Sequence, residues 1–303
     1  MERGDLGSNR HGDGGGRPRS RLLRLLATLV LGAACAGCVE ADDTLASSLQ
    51  AQRQEPSRDP DLGLLPGDPD VLLQAPDVGG DRVISDLRNQ GSAVVDVIVS
   101  VLDGGALRTE QSQRRIAFRT PVYSADDDSP PRAIISVRPG PSSGDALSPG
   151  GARFAYGAEF MLDAESRGTE VDNGDNLVQR GLAGDSAQYK LEIDGGRPGC
   201  VVTGSSGSLQ VIARVTADPG VWYRARCSRD GESLTVDVVE FRADGRDAYS
   251  SRTTTGPLGD VTMGDARTPL SVGGKLAKDG TPIRTATDQF NGLITNAVLA
   301  IAD

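Results

Sequence analysis

Residues 233–241 read SLTVDVVEF, and how Leu234, Val236 and Val238 alternate with their neighbours decides how the rest of the chain is to be read. A period of two puts these three side chains on one face of an extended backbone, the pattern of a half-buried β-strand. The same period recurs upstream. It places Tyr189, Leu191 and Ile193 together in AQYKLEID (187–194), and Leu209, Val211, Ala213 and Val215 together in SLQVIARVT (208–216). RFAYGAEFMLDA (153–164) alternates Phe154, Tyr156, Ala158 and Phe160, while SAVVDVIVSVL (92–102) and RAIISVRP (132–139) are rich in β-branched residues. Such runs, bounded by Gly, Pro, Asp and Ser, are antiparallel strands. Helical periodicity is nearly absent, so the expected fold is all-β, a sandwich or barrel. Many of the 39 glycines belong to its turns.

The other end of the chain has a different character. Arg17, Arg19, Arg21 and Arg24 precede an uncharged run from Leu25 to Gly37, and LGAACAGCVEADD (31–43) then turns acidic. A basic region, an apolar stretch and small residues describe a secretory signal. The apolar run is too short for a membrane span, which needs about 20 residues. Ala36-Gly37-Cys38 resembles the bacterial lipobox, although Cys35 stands where that motif usually has Leu. The resemblance implies cleavage after residue 37 and a lipid on Cys38, and so an exported, membrane-anchored lipoprotein on the extracytoplasmic side of a bacterial cell. The alternatives are an ordinary cleaved signal and an uncleaved anchor. Residues 38–80, including EPSRDPDLGLLPGDPD (55–70), are acidic and proline-rich, which predicts an extended, disordered tether. The folded part is expected over 81–303, enough chain for one sizeable core.

Export changes the reading of the four cysteines. With Cys35 removed and Cys38 lipidated, Cys200 and Cys227 remain in an oxidising compartment, which favours a disulfide between them. Closing that loop would stabilise by roughly 3–4 kcal/mol in the chain-entropy model. The alternative is two unrelated buried thiols. Zinc is disfavoured because the single histidine, His11, lies in the leader. Loss of residues 1–37 removes six arginines and three acids, leaving 26 basic and 39 acidic side chains, a net charge of −13. An acidic chain without a basic stripe argues against nucleic acid as a partner.

A family resemblance rests on a series of segments: NLVQRG (176–181), AQYKLEIDGGRPGC (187–200), GVWYRARCSRDGESLTVDV (220–238), TPLSVGGK (268–275) and TDQFNGLITNAVL (287–299). Tyr189-Leu191-Ile193, Trp222, Leu270-Val272-Gly273 and Phe290-Gly292-Ile294 are similar to the strands of the laminin-G-like, concanavalin A-like lectin/glucanase domain. Tyr223 stands where that family often has His, and Thr295 where Asp is common. The resemblance covers residues 150–303 well and 82–150 only as opening strands. It implies an antiparallel jelly-roll β-sandwich. It says little about activity, because the matching positions are core residues and turn glycines. Trp222 reads as a core anchor, with a sugar-stacking platform as the alternative. Gly195-Gly196 and Gly273-Gly274 read as turns, since no phosphate-binding pattern accompanies them.

Catalysis finds little support. The glucanase branch uses Glu-x-Asp-x-(x)-Glu on one strand. Here Glu170, Asp172 and Asp175 lie in EVDNGD, where the Asn173-Gly174 turn breaks a strand and the last acid is Asp. His-based serine hydrolysis lacks its base once the leader is gone. The chain is therefore read as no enzyme. Asp172, Asn173 and Asp175 offer hard oxygens suited to calcium, and the resemblance adds weight, because such modules often carry calcium at a loop rim. An ordinary acidic hairpin is the competing reading. Asp288 is a further carboxylate that the sequence cannot place beside Asp172, and Asp126-Asp127-Asp128 reads as a solvated loop. Two functions remain: a surface module binding a glycan or cell-envelope component, and a structural envelope lipoprotein without a small ligand. A glycoside hydrolase is the distant third.

Overall fold

The computed structural model describes residues 65–123, 129–141, 144–166, 175–283 and 288–302, all inside one compact unit, Arg58–Asp303. Among the described residues there are strands and turns and no α-helix. Strands are numbered in chain order. An eight-stranded antiparallel sheet runs β13 (Ala248–Thr255), β12 (Ser233–Phe241), β11 (Trp222–Asp230), β6 (Phe154–Leu162), β15 (Gly292–Ile301), β4 (Arg115–Arg119), β3 (Arg108–Ser112), with β1 (Val71–Leu73) also on β15. A seven-stranded sheet runs β10 (Gly207–Ile212), β9 (Arg197–Gly204), β8 (Gln188–Asp194), β7 (Asp175–Arg180), β14 (Leu270–Val272), β5 (Arg132–Pro139), β2 (Val95–Leu102). The two form the expected antiparallel jelly-roll β-sandwich.

Alternation explains the core. Phe154, Tyr156, Ala158 and Phe160 of β6 join Leu234, Val236 and Val238 of β12 from one sheet. Tyr189, Leu191 and Ile193 of β8 meet them from the other. The rings of Phe154, Tyr156 and Tyr189 cluster with centroids 5.0–5.6 Å apart, Phe154 stacked on Tyr156 and Tyr189 edge-on to Phe154. Burial pushes the phenols of Tyr156 and Tyr189 well above the usual tyrosine range. The Tyr156 hydroxyl crosses between the sheets to donate to the carbonyls of Lys190 and Val201. Cys200 on β9 and Cys227 on β11 are joined, so the expected disulfide links one sheet to the other. Arg180, fully buried, ties the surrounding loops together through Thr268 O, Ala266 O, Ser148 Oγ and the Asp145 carboxylate.

Two expectations need correction. The folded body reaches back into the stretch read as tether. Val71 and Leu73 are buried, β1 pairs Val71 with Leu299, and the Asp70 carboxylate accepts from the Ile301 amide. A three-residue edge strand is too short to show a period, which is why composition hid it. The strand read over 208–216 stops at Ile212, although Val211 and Ala213 still point inward. The last strand, β15, does not lie at an edge but between β6 and β4. A bulge between Thr295 and Val298, with Asn296 left-handed at φ 49°, moves the outer side of β15 from β4 to β1. Cys35 and Cys38, the leader and the Asp126–Asp128 run lie outside the described residues.

Candidate functional site

The sequence pointed to the acidic turn that precedes β7. Of its residues, Glu170, Asp172 and Asn173 lie outside the described residues, and Asp175 opens β7. Asp175 is fully buried, and the Ser166 hydroxyl donates to its carboxylate. A bulge after Asn176 lets both Leu177 and Val178 enter the core, so Asn176 and Gln179 are left on the outer face.

The tertiary structure brings in what spacing could not. The Asn176 amide donates to Asp288 O at 3.1 Å, and its Nδ2 reaches the Asp288 carboxylate at 3.2 Å. Three residues on, the Asp163 amide donates to Asn291 O. Asp163, Asp175 and Asp288 therefore sit along one end of the sandwich, each from a separate segment. Asp288 is neutralised by Lys275 at 2.8 Å, and Asp163 by Arg119 at 2.6 Å. The second Asp163 oxygen, Oδ2, is buried and accepts no hydrogen bond. Oxygen donors in a rim of this kind suit a hard dication. Among the described residues, however, no three acidic, histidine or cysteine side chains form a metal cluster. A cation there would need further oxygens from residues 167–174.

Behind the rim lies a polar seam on the outer face of the seven-stranded sheet. Ser136, Ser271, Gln179 and Lys190 stand in one cross-strand row over β5, β14, β7 and β8. Asn176 Nδ2 donates to Gln179 Oε1 at 2.6 Å, Gln179 Nε2 to Gly181 O at 2.7 Å, and Ser271 Oγ to Gln179 O at 3.1 Å. Residues 273–283 and 288–290 lie over this face. Gln289 accepts from the Ala133 amide and donates to Gly273 O, Ser100 Oγ donates to Gly280 O, and Lys278 pairs with Asp185. Gly274 lies so close to Ile134 that a Cβ would come within 2.7 Å of its side chain. The seam holds the rim segment in place. Its carboxylate Asp288 is engaged by Lys275.

Trp222 is buried as expected, but not between the sheets. It belongs to a second cluster with Ala117 and Leu293 on the far side of the eight-stranded sheet. The Arg115 guanidinium covers it, 5.3 Å from the Trp222 ring centre and 4.2 Å from that of Phe241. A ring covered in this way is not a stacking platform.

No protein-family model matches the chain, and no curated protein matches it by sequence. Solved structures with a similar fold include the binding domain of Paraclostridial Mosquitocidal Protein 1 and the Botulinum Neurotoxin serotype G binding domain. Each gives a TM-score of 0.49 at 9% identity over 78% of this chain, and 49% and 48% of theirs respectively. The LG1-3 region of the laminin alpha2 chain gives 0.37 at 12% identity over 75% of this chain and 58% of that one. This chain spans only about half the length of the first two. Likeness at this level concerns the course of the strands and says nothing of the rim.

Proposed function

We propose that the chain is an exported, lipid-anchored surface module that binds a glycan or another cell-envelope component and catalyses no reaction. Cys38 carries the lipid, and the residues after it lead to the sandwich. The rim at the start of β7 takes calcium through Asp172, Asn173 and Asp175, which orders the loops that meet the ligand. One observation carries the reading: Asp163 Oδ2, at the end of the sandwich where β7 begins, is buried without a hydrogen-bond donor. Burying such an atom is costly unless something compensates it. The absence of catalysis is supported by the ion pairs that engage Asp163 and Asp288 and by the lack of histidine after residue 11.

Calcium titration of the Arg58–Asp303 unit, followed by a glycan array with and without chelator, tests this reading. At a hundred times its dissociation constant, calcium should stabilise the fold by about 2.7 kcal/mol. Asp175→Asn should abolish the rise, and array binding should require the metal. A second reading, a structural envelope lipoprotein without a small ligand, draws on the seam behind the rim, which residues 273–283 and 288–290 cover. No melting shift and no glycan bound would favour it.

A further inference from the structure

The free edges of the two sheets are protected to very different degrees. β10 and β13, at one side, face each other, and Arg252 donates across to Ile212 O at 3.0 Å. β3 carries Arg108 and Glu110, and its outer side is met by the chain at Arg82–Ile84 through Thr109 N to Arg82 O and Ile84 N to Leu107 O. β2 has none of these devices. Its sequence, VDVIVSVL, holds one charge, and no described strand pairs with its outer side. Val94, Ile98 and Val101 are 71%, 49% and 54% exposed. A groove of about 610 Å³, lined in part by Leu87, Val95 and Val97, runs beside it. Long apolar edges with little charge and no proline or bulge are sites of strand addition.

The hydrogen-bond phase of this edge can be read from its inner neighbour. The Gly140 amide bonds to Val94 O, and Val95 lies opposite Pro139, which has no amide hydrogen. Even-numbered residues of β2 therefore turn their backbone groups toward β5. Val95, Val97, Val99 and Val101 turn theirs toward the open side. We propose that two copies of this chain associate through these groups, β2 against β2 antiparallel, so that the seven-stranded sheets of both copies become continuous.

A two-fold axis requires an isologous contact, and the sequence of β2 selects its register. With Ile98 opposite Ile98 of the second copy, Val95 pairs with Val101 and Val97 with Val99, so every outward backbone group of the four valines is used. In that register the one charged residue, Asp96, falls opposite the polar Ser100 and beside Arg138, its neighbour on β5. A shift by two residues either way leaves one pair of valine positions unmatched and sets Asp96 against Ile98 or Leu102. Polar therefore meets polar and apolar meets apolar in one register only. The inference does not depend on calcium or a glycan, and its test reads neither.

Sedimentation velocity of the Arg58–Asp303 unit should show a dimer that dissociates on dilution. Ile98→Lys should leave a monomer with an unchanged β-type circular dichroism spectrum. Val101→Pro should do the same, because Val101 is 54% exposed and its amide faces the open edge. Should either variant fail to fold, cysteine pairing decides the register. Ile98→Cys should yield a disulfide-linked dimer under mild oxidation, while Val94→Cys should not. A monomer at every soluble concentration would overturn the proposal. So would a dimer that survives both edge variants, or cross-linking at residue 94 in place of residue 98.

Discussion

The two outer faces of this sandwich are both partly buried, yet they manage that burial by different chemistry. On the eight-stranded sheet, Trp222 sits with Ala117 and Leu293 under the Arg115 guanidinium, which is itself paired with Glu159 at 3.1 Å. On the seven-stranded sheet, amide groups are linked in series, from Asn176 through Gln179 to Gly181. The first face relies on apolar area and a cation over aromatic rings, interactions that tolerate some misalignment. The second relies on directional bonds, which lose strength steeply when bent. Each leaves a buried polar atom without a partner: Trp222 Nε1 on the first, and Asn176 Oδ1 and Ser136 Oγ on the second. A face turned away from the main core can thus be closed by an aromatic cluster or by a polar seam, and neither closure is complete.

Truncation at the centre of each face measures the difference. Trp222→Ala should be the more damaging, lowering stability by about 3–5 kcal/mol, because it empties a large packed volume. Denaturant titration with an unchanged m-value would read it. A loss below 1 kcal/mol would mean that the second cluster adds little to the fold. Asn176→Ala should cost about 1–3 kcal/mol, since it leaves Gln179 Oε1 without its donor inside the seam. If its cost matched that of Trp222→Ala, the contrast between the two faces would fail. Ser136→Ala should be neutral, or stabilising by up to about 1 kcal/mol, because the hydroxyl it removes is buried and unbonded. A clear loss of stability in the same titration would reveal a partner for that oxygen.

The main core was legible because alternation along β6, β8 and β12 is strict, and a strand buried on one face must show that period. The disulfide was legible for a different reason: reading the leader as an export signal singled out Cys200 and Cys227, and the structure joins them. The second cluster was not. In WYRARC (222–227), Trp222 falls in phase with Arg224 and Arg226, on the side that the pattern assigns to solvent. Its burial comes from Ala117 and Leu293, which lie far away along the chain. Asp288 was visible as a carboxylate, but its place beside Asn176 follows from a parallel bridge between Asn176 and Gln289, a contact that leaves no local signature.

From sequence alone came the quantities that depend on near neighbours: which segments are extended and which side of each faces the core. Those follow from backbone geometry and the period of two, and no distant residue can change them. The tertiary structure decided the rest: that β15 lies inside its sheet, that β1 belongs to the fold, that Trp222 is covered, and that Asp163, Asp175 and Asp288 share a rim. Each of these depends on strand order, which is set by the joint burial of residues far apart in the chain and is written in no single stretch.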